Sequence, residues 1–209
     1  MTIQIVGAGG LGREVHAALL EMGLEVDSFL VERGFVSKSV RNLPVRELAF
    51  DTQDKNGETE FVIAVGDNRA RLKIAGQLGT ARFRTVLHPV ATIGSFVKFG
   101  EGAMVIGTAS FTTDIEIGPH VLINPGCNIS HDCTIGAFAS LGPGTSLAGR
   151  VTIEEGANLG VGVVVAPGCV VGAWSTVGAG AVVVRSVEPG TTVVGVPARP
   201  IVRRQPDQL

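Results

Sequence analysis

Cysteine, charge and long apolar runs are all scarce in this 209-residue chain. Three cysteines, Cys127, Cys133 and Cys169, are too few for a disulfide framework and suit a reducing compartment, so a cytoplasmic location is expected. Charged residues make up only 17% of the chain and leave a formal charge of −2, which gives no electrostatic reason to expect nucleic acid or an anionic membrane as partner. No apolar stretch is both long and unbroken enough to span a bilayer, so no membrane insertion is expected. The opening Met1-Thr2-Ile3-Gln4-Ile5-Val6-Gly7 lacks a basic segment ahead of its apolar residues and reads as a first strand, not a secretion signal. Against these scarcities, 45% of the residues are hydrophobic, so much surface must be buried within the chain or between copies of it.

The apolar residues recur every six positions. From Leu87 through Glu188 the chain divides into seventeen hexads without insertion or deletion, and every hexad opens on an apolar residue, from Leu87, Ile93 and Phe99 to Val171, Val177 and Val183. Chance would produce this on the order of 10⁻⁶ of the time at such a composition. Fifth positions are small or compact and include all three cysteines, which reads as core packing. Glycine fills the second position in eight hexads, Gly136 and Gly178 among them, where a turn with positive φ is expected. Three hexads make one triangular coil, so residues eighteen apart stack at roughly the 4.8 Å strand spacing. Parallel strands reached every six residues leave no room for helical crossovers, and the region is expected to be a solenoid of about five to six coils.

Residues 1–84 read differently, as a small Rossmann-like βαβ domain. Ile3–Val6 is expected as a strand, followed by a glycine motif and a helix with Val15, Ala18, Leu19 and Met22 on one face. Further strands are expected at Val26–Val31 and Phe61–Val65. Residues 33–58 are turn-rich, with a short extended piece at Leu43-Pro44-Val45. Asn68 is expected to cap a second helix that runs to about Leu78. The solenoid domain then occupies 85–190. In the tail, 191–209, Gly195-Val196-Pro197-Ala198-Arg199-Pro200 has too many prolines for strand or helix and is expected to pack as an extended flap.

Two places carry candidate chemistry. Gly7-x-Gly9-x-x-Gly12 stands between a strand and a helix, with Glu32 about twenty residues on, where bare backbone and a helix N-terminus favour a phosphorylated ligand. The readings are a dinucleotide, a nucleotide or nucleotide-sugar, and a purely structural tight turn. The dinucleotide ranks low because the repeats begin at Leu87 and leave no second mononucleotide half. Of the four histidines, His16 lies in the first helix, His88 at the domain junction, and His120, after Gly118-Pro119, on an expected solvated corner. His131 sits mid-solenoid in Ile129-Ser130-His131-Asp132-Cys133-Thr134, where stacking by eighteen places Thr113 on one side and Gly149 on the other. Gly149 leaves space over the imidazole and offers a backbone N–H, while Asp132 is placed to polarise the ring; the bland alternative is a surface histidine. A zinc site needs converging histidines. His88, His120 and His131 are not related by multiples of eighteen, so no metal is expected.

The hexads resemble those of the left-handed parallel β-helix acyltransferases. The glycine-rich βαβ domain, Gly66-Asp67-Asn68-Arg69, the Ser-His-Asp-Cys hexad, Leu147-Ala148-Gly149 and the Gly-Val-Pro-Ala tail narrow the likeness to bacterial sugar acetyltransferases of the bacillosamine, perosamine and sialic-acid types. That resemblance spans essentially the whole chain. It implies a homotrimer with acetyl-CoA between neighbouring solenoids and a nucleotide-activated amino sugar held partly by the N-terminal domain. It also implies His131 as general base, Asp132 as its acidic partner and the Gly149 amide facing the acetyl oxygen. Gly9, Gly10, Leu11, Glu32 and Gly66 fall at nucleotide-sugar contacts, and Ser140, Val161 and Ala179 along the acetyl-CoA groove. This chain has Leu11 where many members have histidine, and Ser140 where some do. The activity so implied is N-acetylation, most simply at C4 of a 4-amino-4,6-dideoxysugar. Its rivals are O-acetylation by the same machinery and a non-catalytic nucleotide-sugar-binding or assembly role.

Overall fold

A computed structural model describes residues 2–35, 39–49 and 58–201 of the chain. Its N-terminal part is an α/β region: β1 (Thr2–Val6), α1 (Gly10–Glu21), β2 (Val26–Val31), β3 (Ser39–Val40), β4 (Leu43–Glu47), β5 (Thr59–Ile63), α2 (Asn68–Leu78) and β6 (Arg82–Phe83). The sheet runs β3-β4-β2-β1-β5-β6 and is parallel except for the β3–β4 hairpin. The extended piece expected at Leu43-Pro44-Val45 is thus a full strand, paired in parallel with β2. The third expected strand begins and ends two residues earlier, at Thr59–Ile63. Part of the turn-rich stretch lies outside the described residues.

From Val86 the chain winds as a parallel β-helix of two- and three-residue strands, and among the described residues it contains no helix. Pairs such as Leu122 with Ser140, Ile129 with Leu147 and Ile135 with Ile153 keep the eighteen-residue offset on all three faces. First and fifth positions point inward and form one continuous core with the three cysteines inside it. The first coil, whose strands end their sheets, is the exception, and its inward Ile93 is 39% exposed.

Two features of the corners differ from expectation. Second-position glycines do not carry positive φ; a Cβ on Gly136 would stand 2.6 Å from the Glu155 nitrogen of the next coil, so close approach is what excludes a side chain there. Left-handed φ falls instead at the fourth position, even where the residue is Asp114, His120, Asp132, Phe138, Arg150 or Trp174. Such residues adopt it only when the surrounding coil fixes the turn.

The N-terminal region covers one solenoid face. Met104, Ile106 and Leu122 occupy outward positions yet are buried, in one cluster with Ile3, Val15 and Leu19. His88 Nε2 lies 3.4 Å from the Glu21 carboxylate at the end of α1. His120 is not on a solvated corner. It is 6% exposed, stacked on Phe138 and edge-on to Phe83. The tail is not wholly without strand either: Thr192–Val194 continues one face of the solenoid and pairs antiparallel with Arg199–Pro200. No helix among the described residues is long and apolar enough to cross a membrane.

Burial, reinforced by the nearby Arg71 cation, holds His120 at a pKa of about 4, and burial also lowers that of His16. A histidine depressed in the folded state takes up its proton on unfolding, so its stabilising effect is complete above its ordinary value near 6.5 and is lost as the pH falls towards 4. The melting temperature should therefore drop between pH 6.5 and 4, and His120→Met should flatten part of that drop. Thermal melts of the wild type that are level across the window would contradict this.

Candidate active site

His131 stands at the third position of its hexad, on a corner where the chain turns outward. The left-handed turn at Asp132, φ +59°, swings the carboxylate back beside its neighbour, and Oδ2 lies 2.7 Å from His131 Nδ1. Consecutive residues rarely meet in extended chain; here the corner geometry brings them together. Both side chains are about half exposed. With Nδ1–H donating to Asp132, Nε2 is the nitrogen left to accept a proton.

Gly149 lies directly over the ring. A Cβ there would sit 2.6 Å from both Cε1 and Nε2 of His131, so any side chain would displace the imidazole. The backbone is fixed on both sides, because Arg150 N donates to the His131 carbonyl at 2.9 Å and Gly168 N to the Gly149 carbonyl at 3.0 Å. Among the described residues the Gly149 N–H has no hydrogen-bond partner. The corner thus holds a half-exposed imidazole, bound through Nδ1 to Asp132, with Gly149 and its unpaired amide set against the ring. Cys133, behind His131, donates to the Ala148 carbonyl, and burial raises its pKa; Cys127 is pushed up to about 11. Neither is poised as a thiolate nucleophile.

A second cavity, of about 560 Å³, opens at the carboxyl ends of β1, β2 and β5, at the point where the strand order reverses. The glycine motif builds its floor. Gly7 turns at φ +108°, where a Cβ would meet the Ala64 carbonyl at 2.5 Å, and a Cβ on Gly12 would overlap the Gly7 carbonyl. Gly9 and Gly10 face open space. Gly9 and Glu32 line the cavity, with Phe35 exposed at its rim. Leu11 packs instead against the N-terminal core, and Gly66 lines a smaller cleft shared with Arg69 and Trp174.

Val161 and Ala179 are exposed and stack on one another, but on the corner before that of His131 and Gly149. A single chain does not bring the two corners together. Ser140 lies elsewhere: 6% exposed, it donates to Asn68 Oδ1 at 2.6 Å and accepts from Arg71 Nη2 at 3.0 Å. Asn68 is not the cap of α2, since Asp67 accepts from Ala70 N and caps it; Asn68 Nδ2 donates to the Gly156 and Ala157 carbonyls across the junction. Sequence reasoning missed this polar junction and Arg71 at its centre. The available signal was Asp67, a second capping candidate that frees Asn68, with Arg71 one turn further along the same helix face. Among the described residues no three His, Cys, Asp or Glu side chains converge.

Residues 2–78 match the PglD N-terminal domain family, and residues 114–149 match the bacterial transferase hexapeptide family of six repeats. No curated protein matches the chain. Among solved structures, it is similar to PerB from Caulobacter crescentus, determined in complex with CoA and GDP-perosamine, with 33% identity over 97% of this chain and 98% of that one and a TM-score of 0.89. It is also similar to the acetyltransferase domain of PglB from Neisseria gonorrhoeae, at 30% identity over 96% and 99% with a TM-score of 0.88. WeeI from Acinetobacter baumannii matches at 28% identity over 96% and 100%, with a TM-score of 0.87. With its PglD-type N-terminal region joined to a hexapeptide β-helix, the chain belongs to the sugar acetyltransferases of the left-handed β-helix, hexapeptide-repeat acyltransferase superfamily.

Proposed function

We propose that this acetyltransferase moves the acetyl group of acetyl-CoA onto the amine of a nucleotide-activated amino sugar, at C4 of a 4-amino-4,6-dideoxysugar. The observation that carries the reading is the corner itself: Asp132 bound to Nδ1 of a half-exposed His131, and Gly149 set against the Nε2 side of the ring. The amine nitrogen attacks the thioester carbon, and His131 Nε2 takes the proton that the nitrogen sheds. The Gly149 N–H donates to the oxyanion, which collapses as the carbon–sulfur bond breaks. The proton returns from the imidazole to the departing thiolate, giving amide and CoA with no acyl-enzyme. The ligands of PerB support the substrate class, and a perosamine N-acetyltransferase from the same bacterium has been captured with CoA and GDP-perosamine in variants that lack one histidine.

The cavity beside Gly9 and Glu32 takes the nucleotide in this reading, with Gly10 open next to it, Leu11 supporting the motif from the N-terminal core and Gly66 in the neighbouring cleft. Residues 1–84 form the nucleotide-sugar domain, 85–190 the acyltransferase domain, and 191–209 the tail that closes it. The reaction belongs where acetyl-CoA is made and used, in the cytoplasm. Val161 and Ala179 line the coenzyme groove. They sit on a different corner from His131, so a complete site needs His131 from one copy and the valine corner from another. Exposed Val161, Val164 and Val184 on a solenoid with few charges suit such an interface, and the assembly is a homotrimer. Light scattering should give about 65 kDa, three times the 21.6 kDa chain. A stable monomer at micromolar concentration would remove the basis for a shared site.

The test of the chemistry is His131→Ala. A general base contributes about 10²–10⁴-fold, so kcat should fall by that factor while substrate binding changes little. The fold should survive, because the side chain points out of the core. Asp132→Asn should cost less, since it weakens the support for the base and leaves it in place. Wild-type turnover in a folded, trimeric His131→Ala variant would end the assignment.

A further inference from the structure

The first turn of α2 touches four successive coils. On the corner that faces it, the fourth hexad positions are His120, Phe138, Gly156 and Trp174, all left-handed at φ between +54° and +64°. Arg71 Nε donates to the His120 carbonyl at 2.9 Å and Nη2 to the Phe138 carbonyl at 2.8 Å. Asn68 Nδ2 donates to the Gly156 carbonyl at 3.1 Å, and the Arg69 guanidinium lies 4.6 Å over the Trp174 ring. These contacts span three strand spacings, roughly 14 Å along the solenoid. The coil-to-coil ladder at this corner uses third-position carbonyls, as in Phe138 N to Pro119 O and Gly156 N to Ala137 O. The fourth-position carbonyls are left over, and α2 takes them.

Arg71 is fully buried, and every acceptor it meets is neutral. Besides the two solenoid carbonyls and Ser140 Oγ, Nη1 donates to the Val65 carbonyl at 2.8 Å and lies 3.3 Å from that of Gly66, at the wall of the N-terminal cavity. Burying a cation is costly, and an apolar contact would hold the two regions together at less cost. What the guanidinium adds is direction: a rigid plane of five N–H donors fits one arrangement of acceptors and no shifted one.

Resting on the acetyl-transfer reading above, we infer that Arg71 is a positioning residue for that reaction, fixing the Val65-Gly66 loop at one level along the solenoid. A sugar amine leaving the cavity then arrives at the level of the His131–Gly149 corner. A three-fold axis parallel to the solenoid keeps coil levels equal between copies, so a level set within one chain holds across the interface.

The test is steady-state kinetics on trimeric wild type, Arg71→Lys and Arg71→Met, with melting temperatures alongside. A displacement of about 1 Å costs on the order of 10²-fold, so kcat/KM for the nucleotide-amino-sugar should fall about 10- to 100-fold while the KM for acetyl-CoA stays unchanged. Lysine should not rescue, because a single ammonium cannot reproduce the planar fork. A lower melting temperature with unchanged kinetics would mark a purely structural role and overturn the inference. Should Arg71→Met fail to fold, Asn68→Ala removes the Gly156 and Ala157 contacts and one acceptor of Arg71, at 3.1 Å from Nη2, while leaving the guanidinium in place. The same one-sided loss supports the inference there, and unchanged kinetics overturn it. A wild type inactive on every nucleotide-amino-sugar overturns the underlying reading and the inference with it, whereas unchanged variants beside an active wild type overturn the inference alone.

Discussion

Parallel strands of the solenoid pair at an offset of eighteen residues as far as Val183, Ile129 with Leu147 and Leu159 with Val177 among them, and at sixteen in the last coil, where Val177 meets Val193. The offset is held by the core, because a slip of one residue would turn every inward Ile, Leu and Val to solvent. It also sets the geometry of the proposed catalytic corner. The same offset lays Gly149 over His131, so a ring and an amide distant in sequence are set within reach by main-chain pairing on either side. No side chain has to hold that geometry except Asp132, which orients the ring.

One backbone device serves two ends. The left-handed fourth position at Asp132 folds a carboxylate back onto its neighbouring imidazole at an exposed corner. On the covered corner the same turn at His120, Phe138 and Gly156 leaves carbonyls that Arg71 and Asn68 bind. Burial there also keeps His120 neutral, wedged between Phe83 and Phe138. The proposed catalytic corner and the docking of α2 therefore depend on one repeated turn, facing solvent in one case and α2 in the other.

The solenoid was legible because its signal is one-dimensional: Leu87 to Val183 at every sixth place needs no knowledge of what lies across the fold. The pairing of His131 with Gly149 followed from counting eighteen. The βαβ strands and both helices were legible to within about two residues, the usual blur of element ends. What escaped lies between regions. Along the chain Asn68 reads as a helix cap, and the resemblance puts Ser140 in the acetyl-CoA groove; both become a buried network only once α2 is laid on the solenoid. His120 looked solvated because a Gly-Pro corner usually is, and Phe83, from the other region, covers it. Along the chain alone the second-position glycines suggest positive φ, because the coil above, whose backbone is the true obstacle, is invisible there.

The claim at the centre is that the His131 corner acetylates a sugar amine. Its most direct test is release of CoA from acetyl-CoA by the purified protein across a panel of UDP-, GDP- and dTDP-linked 4-amino-4,6-dideoxysugars and their 4-hydroxyl counterparts. Stoichiometric CoA release with at least one amino sugar, and none with its hydroxyl counterpart, is the predicted result. Release with the hydroxyl sugars alone, or with neither set, would contradict it.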